Sequence, residues 1–279
     1  MKYIKLIIEI KEDYQEPLIA ELFDIGFDGF EQHELVLVGY ISKEEFSIGD
    51  REHIERLLAG FPGNSYIQSE EIVAEQNWNE QWEQTVRAQQ IGRFFVKPTW
   101  SAEKAPDESI LLEIDPKMSF GTGYHETTRL ILRMLPDLIR PDIQVIDAGT
   151  GTGILSIAAI KLGAAHAFAF DIDEWSIQNA RENILLNGVR EKVTVKRGSS
   201  EVIPERPRAD LLLANIEKNI ILKLLPDFIR ALKPGGDLVL SGLLQADREL
   251  IFDRLSEGAE VVNIQQENEW IAVHAKANQ

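Results

Sequence analysis

A glycine-rich turn directly after an apolar stretch is the first feature of this sequence that could do chemistry. The segment reads QVIDAGTGTGILSIAA, so an apolar strand leads to Asp147, and Gly149, Gly151 and Gly153 precede a helix. Glycine permits a tight turn, and it lets a bulky ligand approach the backbone closely. The spacing GxGxG also differs from the GxGxxG of dinucleotide-binding proteins. The segment therefore predicts a ligand-binding turn that includes these four residues.

A second acidic residue follows the next predicted strand. Asp171 ends the segment FAFD about 20 residues after the turn, where a carboxylate accepts hydrogen bonds from both hydroxyls of a ribose. Asp173 is the better candidate for a helix cap. After the third strand, Ser199 and Gly198 either line an adenine pocket or form a plain turn. Together, the glycine turn and Asp171 predict a nucleoside-binding site.

The charge of Asp147 separates two classes of nucleoside ligand. A carboxylate at the turn is unfavourable beside a pyrophosphate, whereas the positively charged sulfonium and amino groups of S-adenosylmethionine tolerate it. We therefore favour S-adenosylmethionine, and a nicotinamide-dependent oxidoreductase is the alternative from another class. No metal site is expected, because the five histidines show no paired ligand spacing and cysteine is absent.

Two further polar segments precede and follow the turn. Asn215 ends the apolar segment ADLLLAN, where an amide can accept hydrogen bonds from an amine and aim its lone pair at a methyl carbon. A helix cap at Glu217 is the alternative role. The segment EIDPKMSFGTGYHETT is an irregular loop that leads into a helix with His125 in its first turn. We predict Asn215 as the aiming group, and His125 either accepts a proton or is a hydrogen-bonded loop residue.

Alternating strands and helices position these residues. This alternation predicts an α/β domain at 93–279, a Rossmann-like, mostly parallel twisted sheet with helices on both faces and ligands beyond the carboxyl ends of its strands. The predicted strands are 144–146, 167–170, 193–196, 211–214 and 238–240, and the helices between them are 155–162, 174–186, 218–232 and 246–255. Residues 260–264 and 270–274 suit a closing hairpin.

The amino-terminal part reads as a separate, smaller domain. Residues 1–75 follow the order strand, helix, strand, strand, helix, strand, which is the ferredoxin-like α+β arrangement. Residues 76–92 are predicted to form a linker helix, because Trp78, Trp82 and Val86 are spaced four apart. A fold alone does not define a function, so substrate recognition by this domain rests on analogy.

The overall charge limits the possible partners. With 46 acidic and 29 basic side chains, the formal net charge is -17, which repels a phosphate backbone and suits a basic protein partner. We therefore expect no direct sequence-specific binding of nucleic acid. The absence of cysteine suits a reducing cytoplasm. No run approaches the roughly 18 apolar residues of a membrane span, so no membrane partner is expected.

Several of these segments resemble the ribosomal protein L11 methyltransferase family. IDPKMSFGTGYHETT, DAGTGTGILSIAA, ANI, SGLL and EWIAV occur in the order and spacing of that family, and QNWNEQWEQ followed by KPTW resembles its linker region. The likeness runs from about residue 75 to the end. It implies a class I methyltransferase that uses S-adenosylmethionine and acts in the cytoplasm. The implied substrates are lysine side chains and the α-amino group of ribosomal protein L11, free or in the ribosome, up to trimethylation.

The same resemblance assigns site residues and leaves alternatives open. Cofactor contacts are implied at Thr128, Gly149, Asp171 and Asn215, with Phe120, Gly121 and His125 lining the site. Glu217, Lys218 and Asn219 depart from the family, which often has small or apolar residues there. A methyltransferase for another protein or a small molecule would share the cofactor motifs. A noncatalytic ribosome-assembly factor is the alternative from another class.

Overall fold

The structure is a computed structural model, and it describes residues 2–61, 65–74, 86–117, 119–205 and 208–278. Contacts within the chain divide it into two compact units, Met1–Trp78 and Asn79–Gln279. In the described ranges, every helix is too short or too polar to cross a membrane.

The first unit is a four-stranded antiparallel sheet with two helices. Its elements are β1 (Lys2–Glu9), α1 (Gln15–Ile25), β2 (Gly29–His33), β3 (Val36–Ser42), α2 (Ile48–Gly60) and β4 (Tyr66–Ala74), and the strand order is β2-β3-β1-β4. Alternate residues of β1, namely Ile4, Leu6 and Ile8, are buried against Leu22 of α1 and Ile54 of α2. The predicted ferredoxin-like order of elements is therefore found.

The helix ends in this unit follow local signals. Gly26 ends α1 in the left-handed conformation, with φ of 110°. The second helix, α2, begins at Ile48, because Ser47 and Asp50 form a reciprocal capping box. The Ser47 hydroxyl accepts from the Asp50 N–H at 3.3 Å, and an Asp50 oxygen accepts from the Ser47 N–H at 2.8 Å.

The second unit is the predicted α/β domain. The small sheet β5-β6-β7 consists of β5 (Gln89–Ile91), β6 (Phe94–Lys97) and β7 (Ile110–Glu113). The elements that follow are α3 (Glu126–Leu138), β8 (Gln144–Ala148), α4 (Ile154–Lys161), β9 (His166–Asp171), α5 (Glu174–Leu186), β10 (Val193–Arg197), β11 (Ala209–Asn215), α6 (Lys218–Ala231), β12 (Leu232–Leu244), α7 (Arg248–Leu255), β13 (Ala259–Glu267) and β14 (Trp270–Ala277).

The large sheet has the order β10-β9-β8-β11-β12-β14-β13. The five strands from β10 to β12 are parallel, β14 pairs antiparallel with β12, and β13 pairs antiparallel with β14 in the predicted closing hairpin. Strand order reverses between β8 and β11, so the crevice at their carboxyl ends is the expected ligand site. The fold class predicted from the sequence is thus confirmed.

Both faces of this sheet are buried, which explains the continuous apolar runs of its strands. Along β11, Leu211 and Leu213 pack on the side of α3, α4 and α5, and Leu212 packs on the side of α6 and α7. Phe228 of α6 is fully buried on the second side. These two cores fix the strand ends from which the site residues project.

The predicted linker helix is wrong in the part of residues 76–92 that the structure describes. Residues 75–85, with Trp78 and Trp82, lie outside the described residues, and 86–88 are irregular. Gln89–Ile91 form β5, which pairs antiparallel with β6 across a turn at Gly92, where φ is 56°. The side chain of Ile91 is buried, so a hairpin that buries it replaces the helix suggested by the polar composition.

Candidate active site

A crevice of about 550 Å³ opens at the carboxyl ends of β8, β9 and β11. Its size is typical of small-molecule sites. The predicted residues that line it are Phe120, His125, Gly149, Gly151, Asp171, Ser199 and Asn215. The other predicted residues, Gly121, Thr128, Asp147 and Gly153, are not in its wall and support residues that are.

The glycine turn is shaped mainly by close packing within the protein. Gly149, Gly151 and Gly153 have φ of 71°, 52° and 83°. A Cβ atom on Gly149 would collide with Ile216 Cγ2, and one on Gly151 would collide with the Phe120 carbonyl oxygen. From the sequence, glycines were expected here to leave room for a ligand. These contacts show that protein neighbours already exclude side chains at both Gly149 and Gly151.

Asp171 fastens this turn to the end of β9. One carboxylate oxygen accepts from the Gly151 N–H at 3.0 Å, and the other accepts from the Asp173 N–H at 3.1 Å. The Asp173 side chain caps α5 by accepting from the Ser176 N–H, as predicted. A carboxylate oxygen has more than one acceptor direction, so Asp171 can still accept bonds from a ligand in the crevice. Its predicted role toward a ribose stays a prediction.

Asp147 lies behind the wall rather than in it. Its side chain is buried, and its Oδ2 accepts from Thr150 Oγ1 at 2.7 Å, Ser156 Oγ at 2.7 Å and the Ser156 N–H at 3.1 Å. Burial raises the pKa of this carboxyl group. Oδ1 has no hydrogen-bond partner among the described residues. Asp147 therefore joins the turn to the start of α4, and direct cofactor contact stays a prediction.

The loop before α3 packs on the glycine turn. The Thr152 N–H donates to the Phe120 carbonyl at 2.9 Å, and the Thr152 hydroxyl donates to the Gly121 carbonyl. Gly121 has φ of 101°, and a Cβ atom there would crowd the same hydroxyl. Gly121 thus shapes the backbone that carries Phe120 into the crevice wall.

Asn215 presents an acceptor without a partner. Its Nδ2 donates to Thr128 Oγ1 at 3.1 Å, and its Oδ1 is buried without a hydrogen-bond partner among the described residues. Thr128 is fully buried, so it holds the amide rather than lining the cavity. The alternative role of Asn215 as a cap is not found, because Glu217 occupies the N-cap position of α6. An unpaired buried acceptor is costly unless a ligand satisfies it.

His125 is the N-cap of α3 rather than a residue of its first turn. Its Nδ1 accepts from the Thr127 N–H at 3.3 Å and lies 2.9 Å from Thr127 Oγ1. The ring contacts Trp270 edge-on, with centroids 4.7 Å apart, and Phe120 at 5.2 Å. With Nδ1 as acceptor, the neutral ring carries its proton on Nε2. This arrangement favours the loop role, and proton acceptance by His125 stays a prediction.

A charged clamp braces this aromatic wall. Arg129 Nε donates to Glu267 Oε1 at 2.8 Å, and Arg133 Nη1 donates to Glu267 Oε2 at 2.6 Å. Arg129 also donates to the Tyr124 carbonyl in the loop before α3. The Arg129 guanidinium holds the pKa of the Glu267 carboxyl below its usual range. Because β14 begins three residues after Glu267, the clamp ties α3 to the start of Trp270's strand.

Several residues that line the crevice were not predicted from the sequence. Ile172 is 71% exposed directly after Asp171, and Trp270 lies within the EWIAV segment. Gly242, in SGLL, has φ of 85°, and a Cβ atom there would collide with the backbone of Ile216. The apolar residue Ile172, directly after the acid that ends a strand, could have been recognised from the sequence as a lining residue. Beyond its place in the ANI segment, Ile216 offered no local signal, because its role depends on packing against the distant glycines Gly149 and Gly242.

The chemistry of the wall fits a cationic nucleoside. The described lining residues include the carboxylates of Asp171 and Glu217 and no lysine or arginine, which favours positively charged ligands and disfavours a pyrophosphate. The apolar side chains of Phe170, Ile172 and Leu224 offer surface for a base. With the Rossmann-like sheet, this crevice defines a class I methyltransferase that depends on S-adenosylmethionine.

Comparison with known proteins identifies a family within this class of methyltransferases. The profile of the family described as ribosomal protein L11 methyltransferase (PrmA) matches residues 5–278. The chain is 37% identical to ribosomal protein L11 methyltransferase of Porphyromonas gingivalis, with 98% of this chain and 97% of that protein covered. For the same enzyme of Chlorobaculum parvum, the identity is 35%, with 97% and 95% covered.

A solved structure agrees with the sequence comparison. The crystal structure of ribosomal protein L11 methylase from Lactobacillus delbrueckii subsp. bulgaricus aligns with a TM-score of 0.64 and 28% identity, covering 69% of this chain and 100% of that chain. The chain therefore belongs to the ribosomal protein L11 methyltransferase family. The predicted family, fold class and cofactor are confirmed.

Proposed function

We propose that this enzyme methylates ribosomal protein L11 in the cytoplasm, on lysine side chains and on the α-amino group, up to the trimethylated state. The observation that carries the proposal is the amide oxygen of Asn215 in the crevice wall, which has no hydrogen-bond partner in the part of the chain that the structure describes. A neutral primary or secondary amine has N–H donors that satisfy this acceptor, so Asn215 orients the amine for the first two transfers. The protein target is taken from the names of the relatives. The methylated nitrogen atoms are inferred from the chemistry of amines.

The chain has to deliver a neutral amine in the correct orientation. When bound, S-adenosylmethionine supplies a methyl group activated by a positively charged sulfur. A free lysine, with a pKa of about 10.4, costs about 4 to 5 kcal/mol to deprotonate at neutral pH. A desolvated pocket lowers that pKa. Asn215, held by Thr128, then fixes the direction of the lone pair, and such positioning can supply roughly 7 to 11 kcal/mol.

Asn215 and the residues that support the turn have separate tasks in this proposal. Gly149, Gly151 and Asp171 bind the nucleoside end of the methyl donor, with Ser199 near the base. Asn215 orients the amine, and His125 shapes the wall through its cap and its contact with Trp270. The hydrogen bond from the Gly151 N–H to Asp171 supports this division, because it builds the nucleoside end before any ligand arrives.

The amino-terminal unit is proposed to recognise the protein substrate. The proposed boundaries are 1–75 for this domain, 76–92 for the linker and 93–279 for the methyltransferase domain. The unit has its own buried core, and it exposes large apolar side chains that a partner can cover: Phe23 at 65%, Leu35 at 57% and Ile48 at 80%. The net charge of -17 suits a basic ribosomal protein.

A labelling experiment tests the proposal. The purified enzyme is incubated with S-adenosylmethionine labelled on its methyl group and either unmethylated ribosomal proteins or assembled large subunits. We expect label on ribosomal protein L11, identified by mass, at lysine and amino-terminal nitrogens. The two substrate forms distinguish free from assembled protein. Label only in RNA, only in another protein, or nowhere would refute the assignment.

A further inference from the structure

Glu217 places a negative charge in the crevice wall two residues after Asn215. Asp171 and Glu217 supply the carboxylates of the described lining, and both oxygens of Asp171 already accept backbone N–H groups. The Glu217 residue as a whole is exposed, so its carboxylate lies at the open side of the cavity. Of these two carboxylates, Glu217 is therefore the one that is less occupied by hydrogen bonds within the protein.

The local structure does not require this carboxylate. Glu217 is the N-cap of α6, but its side chain makes no capping hydrogen bond. Within the described ranges, the Glu217 carboxylate accepts one hydrogen bond, from the Asn219 amide at 2.5 Å, and forms no ion pair. The neighbouring Lys218 ammonium lies 2.8 Å from Asp247 Oδ1, so its charge is balanced elsewhere. The Glu217 charge is therefore available to a cationic ligand.

We propose that Glu217 is a specificity-determining residue that recognises the ammonium form of the target amine and retains the methylated amine between transfers. This inference rests on the proposed function, because it assumes an amine substrate. A lysine arrives mainly protonated at neutral pH, and methyl transfer moves the positive charge of the sulfonium to the nitrogen, so each methylated product is formed as a cation and must lose a proton before the next transfer. The trimethylated product carries a permanent charge.

The position of Glu217 separates recognition from orientation. Asn215 offers an amide oxygen for the N–H groups of a neutral amine, whereas Glu217 offers a full charge at the cavity opening. An ammonium group held near the opening can lose a proton to the water there, and a primary or secondary amine then returns to Asn215 without leaving the enzyme. Loss of the charge therefore favours release of mono- and dimethylated species.

The test compares wild type, Glu217→Gln and a matched control, Glu260→Gln. Both substitutions remove one exposed carboxylate and keep the side-chain shape, and Glu260 lies on β13 opposite Lys276, outside the crevice lining. The substrate is unmethylated ribosomal protein L11 with saturating S-adenosylmethionine. For Glu217→Gln, we expect the KM for L11 to rise about fivefold, with partially methylated L11 accumulating in intact-mass spectra. Glu260→Gln keeps both properties of wild type.

Affinities for S-adenosylmethionine and S-adenosylhomocysteine complete the test. Both Kd values should be unchanged in Glu217→Gln, which also shows that the variant is folded. Weaker binding of the methyl donor alone would assign the carboxylate to the sulfonium and overturn the inference. Unchanged KM and product distribution would overturn it as well. If wild type methylates no L11 amine, the proposed function itself fails, whereas active wild type with an unchanged variant refutes this inference alone.

Discussion

The two ends of the crevice are built by different means. At the nucleoside end, backbone N–H groups of the glycine turn are satisfied within the protein, for example Gly151 by Asp171 and Gly149 by the Phe170 carbonyl. At the amine end, Asn215 Oδ1 has no partner among the described residues, and the Glu217 carboxylate has no ion pair there. The backbone of the nucleoside end is thus held by hydrogen bonds before ligands bind, whereas the amine end presents side-chain groups that a substrate must satisfy.

Because of this difference, the two ends should respond to different kinds of substitution and solution condition. A turn defined by positive φ angles and close packing responds to steric changes and little to pH or salt. A wall held by ion pairs and open acceptors responds to charge and to the identity of the substrate. Substitutions at the nucleoside end should therefore change stability and cofactor affinity, and substitutions at the amine end should change turnover.

The largest effect is expected for Gly149→Ala. The new methyl group would collide with Ile216 Cγ2 in a backbone conformation with φ of 71°, so we expect a loss of about 3 kcal/mol in the free energy of unfolding. Binding of S-adenosylhomocysteine should weaken at least tenfold, about 1.4 kcal/mol. Denaturant titration measures the first quantity and calorimetry the second.

Gly235→Ala is the matched control for that change. Gly235 has nearly the same φ, 72°, and its Cβ atom would meet nothing within 4 Å. The backbone strain alone should cost about 1 to 2 kcal/mol and leave the affinity for S-adenosylhomocysteine unchanged. Equal losses of affinity in the two variants would contradict a packed, preformed nucleoside end.

Asn215→Ala and Asp171→Ala test the division directly. Asn215→Ala should lower kcat on the order of 100-fold, because the amine loses its orienting acceptor, with little change in cofactor affinity. Asp171→Ala should weaken the Kd of S-adenosylhomocysteine by about 10- to 30-fold, because a charged acceptor and the support of the Gly151 N–H are lost. Single-turnover kinetics and calorimetry separate the two effects. Similar losses of cofactor binding in both variants would contradict the assignment of separate tasks to the two ends of the crevice.

His125→Asn distinguishes a cap from a proton acceptor. Asparagine can accept from the Thr127 N–H as a helix cap, but it cannot take up a proton near neutral pH. We expect kcat to fall by no more than about fivefold, since the cap is kept and the contact with Trp270 is lost. His125→Ala, which loses the cap as well, should lower stability by about 1 kcal/mol. A 100-fold loss of kcat in the asparagine variant would instead identify His125 as the base.

Local patterns predicted the strand ends of the site but not the contacts between them. Asp171 and Asn215 were found because parallel strands end in the same crevice. The bond from Asn215 to Thr128 joins residues 87 positions apart, and Glu267 pairs with Arg129 across 138 positions. Periodicity and turn signals are local, so neither pair was visible. Residues 89–91 show the converse, because their polar helix pattern yielded to a buried hairpin.

The Glu267 clamp gives the most direct test of charge dependence. Glu267→Gln keeps the shape of the side chain but removes the charge between Arg129 and Arg133, which should cost about 1 to 2 kcal/mol of unfolding free energy at pH 7. The pKa of Glu267 in the folded protein is lowered, so its contribution is full above the ordinary carboxyl pKa of about 4.3. The contribution is lost as the pH falls through the lowered value.

The stability difference between wild type and Glu267→Gln should therefore shrink below about pH 4, because wild type also loses the charge there. Denaturant titrations from pH 7 down to the lowest pH at which both proteins fold measure this trend. The Kd for S-adenosylhomocysteine should not differ between them at pH 7, since the clamp braces the wall of Phe120, His125 and Trp270 rather than the glycine turn. A variant that loses cofactor affinity at pH 7 would show that the clamp supports both ends, and the separation drawn between them would not hold.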